Sequence, residues 1–176
     1  MTANQVTLAA CVISVALGAL LCWRSGERQL FLLVPLWFFL RMAFNAIDGM
    51  LAREFGQASR LGAYLNELSD VISDAALYAP FALLPGSSGW AIAGIIVLSI
   101  VSEMAGVLGV TAGATRRYGG PMGKSDRAFV FGVIGLLAGS GVALEGALNW
   151  VWMAVAVLVA ATVVNRVRRG LAERQA

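Results

Sequence analysis

The stretch NAIDGMLAREFGQASRLGAYLNELSDVISD, residues 45–74, gathers side chains able to do chemistry in a chain that is otherwise largely apolar. On a helix turning about 100° per residue, Asn45 and Asp48 share a face at i and i+3, and Asn66, Asp70 and Asp74 form a stripe at i, i+4 and i+8. Carboxylates and amide oxygens without imidazole or thiolate make an oxygen-only donor set, which suits a hard divalent cation such as magnesium, manganese or calcium. Magnesium commonly shares its shell with phosphate oxygens, so the same set points toward a phosphorylated substrate. The competing reading is structural pairing, with Asp48 satisfied by Arg53 and Asn66 bonded to a neighbouring backbone.

Histidine is absent from all 176 residues. That excludes a histidine base, a histidine zinc ligand and a Ser-His-Asp relay. Cys11 and Cys22 have no metal-ligand spacing and read as packing residues. Neither composition nor motif suggests nucleic-acid binding.

The elements that must carry these residues are membrane helices. The chain is 59% hydrophobic and only 13% charged, and its mean hydropathy is +0.79, too apolar for an ordinary soluble domain. A hydrocarbon core of about 30 Å needs roughly 20 helical residues. Six blocks meet that measure, at about Val6–Trp23, Gln29–Ile47, Leu61–Leu84, Trp90–Ala112, Ala128–Leu144 and Leu148–Val167. The prediction is an all-α polytopic membrane protein, with six transmembrane helices in a single domain over residues 1–176. The opening MTANQ lacks the basic flank of a cleaved signal, so the first block is expected to stay in the membrane.

At this point the polar stretch carries a resemblance. It is similar to the signature of the CDP-alcohol phosphotransferase family, Asp-x-x-Asp-Gly-x-x-Ala-Arg, about eight residues, Gly, three residues, Asp, three residues, Asp. Asp48-Gly49, Ala52-Arg53, Gly62 and Asp70 fall on that pattern, with eight residues between Arg53 and Gly62. The family's first and third aspartates are Asn45 and Asn66 here. TANQVT before the first span looks like the family's opening motif, and GPMGKSDRAFVFG after the fourth resembles a bacterial inner-membrane subgroup that carries both asparagines. The likeness covers nearly the whole chain.

The resemblance implies a six-helix enzyme, commonly a homodimer, that moves a substituted phosphate from a CDP-linked lipid donor such as CDP-diacylglycerol to an alcohol or phosphorylated-alcohol acceptor, releasing CMP. It assigns Asp48 and Asp70 to catalysis, with Asp70 the base that takes the acceptor's proton. Asn45, Asp48, Asn66 and Asp70 would hold Mg2+ or Mn2+, as one ion or two, and Gly49, Ala52, Arg53 and Gly62 would line the CDP site. An amide oxygen bridges two cations poorly, so one firmly held metal is expected, or a second that arrives with the donor. Glu67 lies about 100° around the helix from Asn66, and Asp74 about 6 Å deeper than Asp70, so neither replaces the missing carboxylates well.

Outside the signature, Gly120, Pro121 and Gly123 shape a turn, Ser125 or Asp126 can cap the fifth helix, and such a helix start binds anions. Lys124 and Arg127 are therefore candidates for contacting the acceptor, with Arg166 a third. Glu103, in mid-membrane, is expected to pair with an arginine or amide. Two other classes remain open from the sequence. One is a small transporter, which would show polar groups through the full membrane depth; the other is a non-catalytic relative that binds CDP-lipid.

Orientation follows from the loops. One side carries Arg53, Arg60, Arg116, Arg117, Lys124, Arg127, Arg166, Arg168, Arg169 and Arg174, while the other carries Arg24 and Arg28. Cytoplasmic loops hold the basic excess. Both termini and the signature are thus expected on the cytoplasmic side of a bacterial inner membrane. Reporter fusions at the C-terminus are expected to be active only as cytoplasmic reporters; a signal from periplasmic reporters alone would reverse the orientation.

Overall fold

The computed structural model describes residues 1–173; Arg174, one of the C-terminal basic residues above, lies outside them. Six long helices follow one another: α1 (Ala3–Trp23), α2 (Leu33–Glu54), α3 (Arg60–Tyr78), α4 (Gly89–Thr111), α5 (Lys124–Gly139) and α6 (Leu148–Ala172). Short 3-10 turns, Arg28–Leu32 and Ala79–Leu83, precede α2 and follow α3. No strand occurs among the described residues. The all-α polytopic expectation is borne out.

Four helical stretches are long and apolar enough to cross a membrane by themselves: Ala3–Trp23, Arg28–Glu54, Gly89–Thr111 and Leu148–Ala172. The other two helices complete the bundle. Helix α3 carries Arg60, Glu67, Asp70 and Asp74, and α5, with 16 residues, is about 24 Å long.

The boundaries differ from the hydropathy blocks where backbone chemistry overrides hydrophobicity. Helix α2 continues past Ile47 and through Gly49 to Glu54, and stops just before Gly56, which adopts φ +65°. The first half of the signature is therefore entirely helical. Helix α3 ends at Tyr78 and tightens into a 3-10 turn at Pro80, whose ring removes a backbone donor. Helix α5 begins four residues early, with Gly123 as its N-cap. Neither Ser125 nor Asp126, the two expected candidates, is the cap; Asp126 sits three residues in and accepts the Gly123 N–H at 2.9 Å.

Helix pairs α1–α3, α1–α2, α2–α5 and α4–α6 form the main contacts. Small residues let them approach, since lipid gives apolar side chains little reason to associate. On α5, a Cβ at Gly135 would lie 3.1 Å from the Phe31 carbonyl oxygen, and one at Gly139 would lie 2.7 Å from Leu32. The GVIGLLAGSG run is thus a packing face. Away from the signature lies an aromatic core: Tyr78 stacks on Phe131 at 3.9 Å, Phe131 on Trp152 at 5.0 Å, and Phe81 meets Phe131 edge-on at 4.9 Å. Trp23, Trp90 and Trp150, all exposed, ring that same end, matching an interfacial aromatic belt. Cys22, expected to pack, is exposed, and Cys11 is only partly buried.

A Cβ on Gly18 would overlap the backbone carbonyl of Ala76 across the α1–α3 contact, whereas one on Gly94 meets nothing within 4 Å. Gly18→Ala is expected to cost about 1–3 kcal/mol of stability, read as a fall in thermal midpoint in detergent, and Gly94→Ala to leave the midpoint unchanged.

Candidate active site

At the end of the bundle that holds the start of α1 and the end of α6, α2 and α3 face each other across α1. A cavity of about 410 Å³ opens there, and Asn45, Asp48, Gly49, Ala52, Arg53, Gly62, Asn66 and Asp70 all line it. The eight signature positions are separated in sequence by a loop but share one wall in space. Asp74 is not in that wall.

Asp48 is buried on α2 and accepts a hydrogen bond from Thr7 Oγ1 of α1 at 2.7 Å. This corrects the alternative in which Arg53 satisfies it. Arg53 has no carboxylate partner among the described residues, and its guanidinium instead lies over Gly49, 3.3 Å from where a Cβ would stand. At Gly62 a Cβ would meet Asn4 Oδ1 at 2.8 Å and Ser59 Oγ at 3.0 Å. Ser59 caps α3 by accepting the Gly62 N–H at 2.9 Å. The Ala3 N–H donates to Gln57 Oε1 at 2.8 Å, tying the start of α1 to the α2–α3 loop. Asn4, Thr7, Gln57 and Ser59 were not singled out from the sequence as site residues. The signal for the first two was the TANQVT segment, whose Thr2 forms a capping box with Gln5 and so points Asn4 and Thr7 inward.

Asp70 is held from two sides. Arg41 Nη2 donates to Asp70 Oδ1 at 3.1 Å and to its backbone carbonyl at 3.2 Å, and Lys124 Nζ lies 2.5 Å from Oδ2. Arg41 is one helical turn deeper than Asn45, and its other amino group reaches Asp74 Oδ1 at 2.5 Å. Asp74 also accepts from Tyr78 at 3.3 Å and lies 3.4 Å from Arg127 Nη2. Arg127 bonds Glu103 at 2.9 Å, and Glu103 in turn takes Arg166 at 3.1 Å. Glu103 thus pairs with arginines, as expected. One continuous chain of charge runs through five helices.

A second cavity, about 480 Å³, adjoins the first and shares Asn66 and Asp70 with it. Its lining includes Lys124 and Arg166, together with Glu67, Glu103, Arg116, Tyr118, Ser125 and Asp126. Arg127, expected beside them, is not there. It is fully buried, with its guanidinium occupied by Glu103, Asp74 and the Met122 carbonyl at 3.3 Å, because an arginine so far from water must be paired. Glu67 is paired with Arg116. The loop over this cavity is fastened to α6: the Met122 N–H donates to Thr162 Oγ1 at 2.9 Å, and Glu173 accepts from the Thr115 amide and from Arg117. The Thr115 amide and then the Arg117 guanidinium hold the Glu173 carboxyl below the usual carboxylate range.

The chain is similar to known proteins. The family model for CDP-alcohol phosphatidyltransferase matches residues 1–165. The chain belongs to the CDP-alcohol phosphatidyltransferase family. The inner membrane protein YnbA of Escherichia coli is 46% identical over 167 residues, covering 95% of this chain and 83% of YnbA. The phosphatidylinositol phosphate synthase PgsA1 of Mycobacterium tuberculosis, whose crystal structure contains manganese and citrate, superposes with a TM-score of 0.78 at 25% identity, covering all of this chain and 88% of PgsA1. Within the family's signature, this chain contributes two carboxylates and two amides. Among the described residues, no three Asp, Glu, His or Cys side chains gather as a metal cluster.

Removing one member of the buried charge chain leaves its partners unpaired away from water. Arg41→Gln and Asp74→Asn are each expected to lower stability by about 3–5 kcal/mol. Arg24→Gln, which breaks only the exposed pair with Glu27, is expected to be close to neutral. Thermal midpoints of the purified variants check this; a neutral Arg41→Gln would show that the chain contributes no net stability.

Proposed function

We propose that this family member transfers a phosphatidyl group from CDP-diacylglycerol to an acceptor hydroxyl and releases CMP, in phospholipid synthesis. The carrying observation is that Asn66 and Asp70 line both cavities. A donor phosphate in the first meets an acceptor hydroxyl in the second across the Asp70 carboxylate. The site lies at helix ends on the side rich in arginine and lysine, taken here as cytoplasmic, where a lipid donor keeps its acyl chains in the bilayer and its diphosphate at the interface.

In the first cavity, Gly49 and Gly62 leave room for the nucleotide, Ala52 adds little bulk, and Arg53, lacking a carboxylate partner, faces the diphosphate. Asn45, Asp48, Asn66 and Asp70 present only oxygen donors, and these fit magnesium or manganese. Thr7 occupies one oxygen of Asp48 and fixes the orientation of that carboxylate. Bound metal supplies positive charge against the oxyanions that develop at the transferring phosphate. Asp70 accepts the acceptor's hydroxyl proton as the new oxygen–phosphorus bond forms and the bond to CMP breaks. Lys124, which holds Asp70 Oδ2, stands on the acceptor side and can turn from that carboxylate to the incoming substrate. Arg166 lines the acceptor cavity, and Arg127 braces it from behind through Glu103.

Asp48→Ala and Asp70→Ala are each expected to abolish CMP release from CDP-diacylglycerol and to lose manganese-dependent thermal stabilisation, while remaining folded. Retained turnover in Asp70→Ala would sink its assignment as base.

A further inference from the structure

The charge on the two cavities differs, and the difference bears on the acceptor. In the first, Arg53 stands without a carboxylate partner among the described residues, as a diphosphate site requires. In the second, every lining cation is already matched by a carboxylate. Arg116 is paired with Glu67 and stacks on Tyr118 at 4.5 Å. Lys124 is paired with Asp70, and Arg166 with Glu103. Arg166 also donates through its two amino groups to the carbonyls of Ser102 and Tyr118, at 2.6 and 3.0 Å. Asp126 also faces this cavity. With Arg41, Arg127 and Asp74 behind the wall included, five cations stand against five carboxylates.

A phosphomonoester carries about −1.5 to −2 charges near neutral pH. In this cavity it would have to take cations from Glu67 and Glu103 and leave those carboxylates facing it, at the cost of like-charge repulsion and an unpaired partly buried charge. A metal that engaged Asp70 would release Lys124 alone, a single ammonium. Hydroxyl groups fit the same wall without disturbing it. The carboxylate oxygens of Glu67, Glu103 and Asp126, the Asn66 amide and the Ser125 hydroxyl all accept hydrogen bonds.

We infer that the second cavity takes an uncharged polyhydroxy alcohol as acceptor, and that its internally paired cations select against a phosphorylated one. This rests on the transferase reading above. The test uses the full-length protein in detergent with manganese, CDP-diacylglycerol and matched acceptors, each polyol beside its own phosphomonoester, with CMP release as readout. The free polyols are expected to exceed their phosphomonoesters in kcat/KM by at least about tenfold, the scale of one charge-assisted contact. Equal or better use of the phosphomonoesters overturns the assignment alone. Silence with every acceptor overturns the transferase reading, and the assignment with it.

A second arm needs no turnover. In metal-free buffer, millimolar inorganic phosphate is expected to raise the thermal midpoint of Glu67→Gln, in which Arg116 loses its carboxylate, more than that of the wild type, since any binding at Arg53 is common to both proteins. Glu67 and Arg116 are both part-exposed, so this variant leaves the buried chain intact. In turnover, Glu67→Gln is expected to shift the preference toward phosphomonoesters by about tenfold. Equal stabilisation of the two proteins by phosphate, or an unchanged preference in the variant, overturns the assignment.

Discussion

Ionised side chains cannot stand alone in hydrocarbon, and this protein meets that constraint with one connected chain of opposite charges. Arg41 on α2, Asp70 and Asp74 on α3, Arg127 on α5, Glu103 on α4 and Arg166 on α6 are joined by contacts of 2.5–3.4 Å. Apolar side chains gain little by leaving lipid for one another. Such a chain therefore does what a hydrophobic core does in a soluble protein: it sets which helices are neighbours and at what register.

The register set there is the one the proposed chemistry needs. Arg41 sits a turn below Asn45 and holds Asp70 by side chain and backbone, so the two polar stripes are fixed against each other before any ligand arrives. Helix α1 closes the arrangement from the third side through Thr7 on Asp48 and Asn4 against Gly62. Preorganised oxygens of this kind need little rearrangement to receive a cation or phosphate. The glycines at 49 and 62 are small because Arg53 and Asn4 occupy the space beside them.

Two cavities meeting at one carboxylate also explain why the chain is polar at one end and aromatic at the other. The proposed group transfer, between a lipid-borne phosphate and a water-borne acceptor, needs an interface position, reached from both phases. The opposite end has no such demand. There, stacked Tyr78, Phe131 and Trp152 and the exposed tryptophans fill and anchor the bundle.

Several features were legible in the sequence because they depend on composition and local period alone. The hydropathy blocks set the all-α membrane class, the i, i+3 and i, i+4 spacings put Asn45 with Asp48 and Asn66 with Asp70, and the absence of histidine restricted the donors to oxygen. What the tertiary structure decided was which charge meets which. The same spacing was compatible with Asp48 on Arg53 or on Thr7, and with Arg127 in the acceptor cavity or behind it. These choices lie between residues 24 to 53 positions apart, where local periodicity carries no information. Hydropathy likewise misplaced the ends of α2 and α5, because a helix stops where its backbone loses hydrogen-bond partners, not where its side chains turn polar. Pairing in a low-dielectric bundle is settled by packing: each buried charge takes the partner that the helix contacts bring within reach.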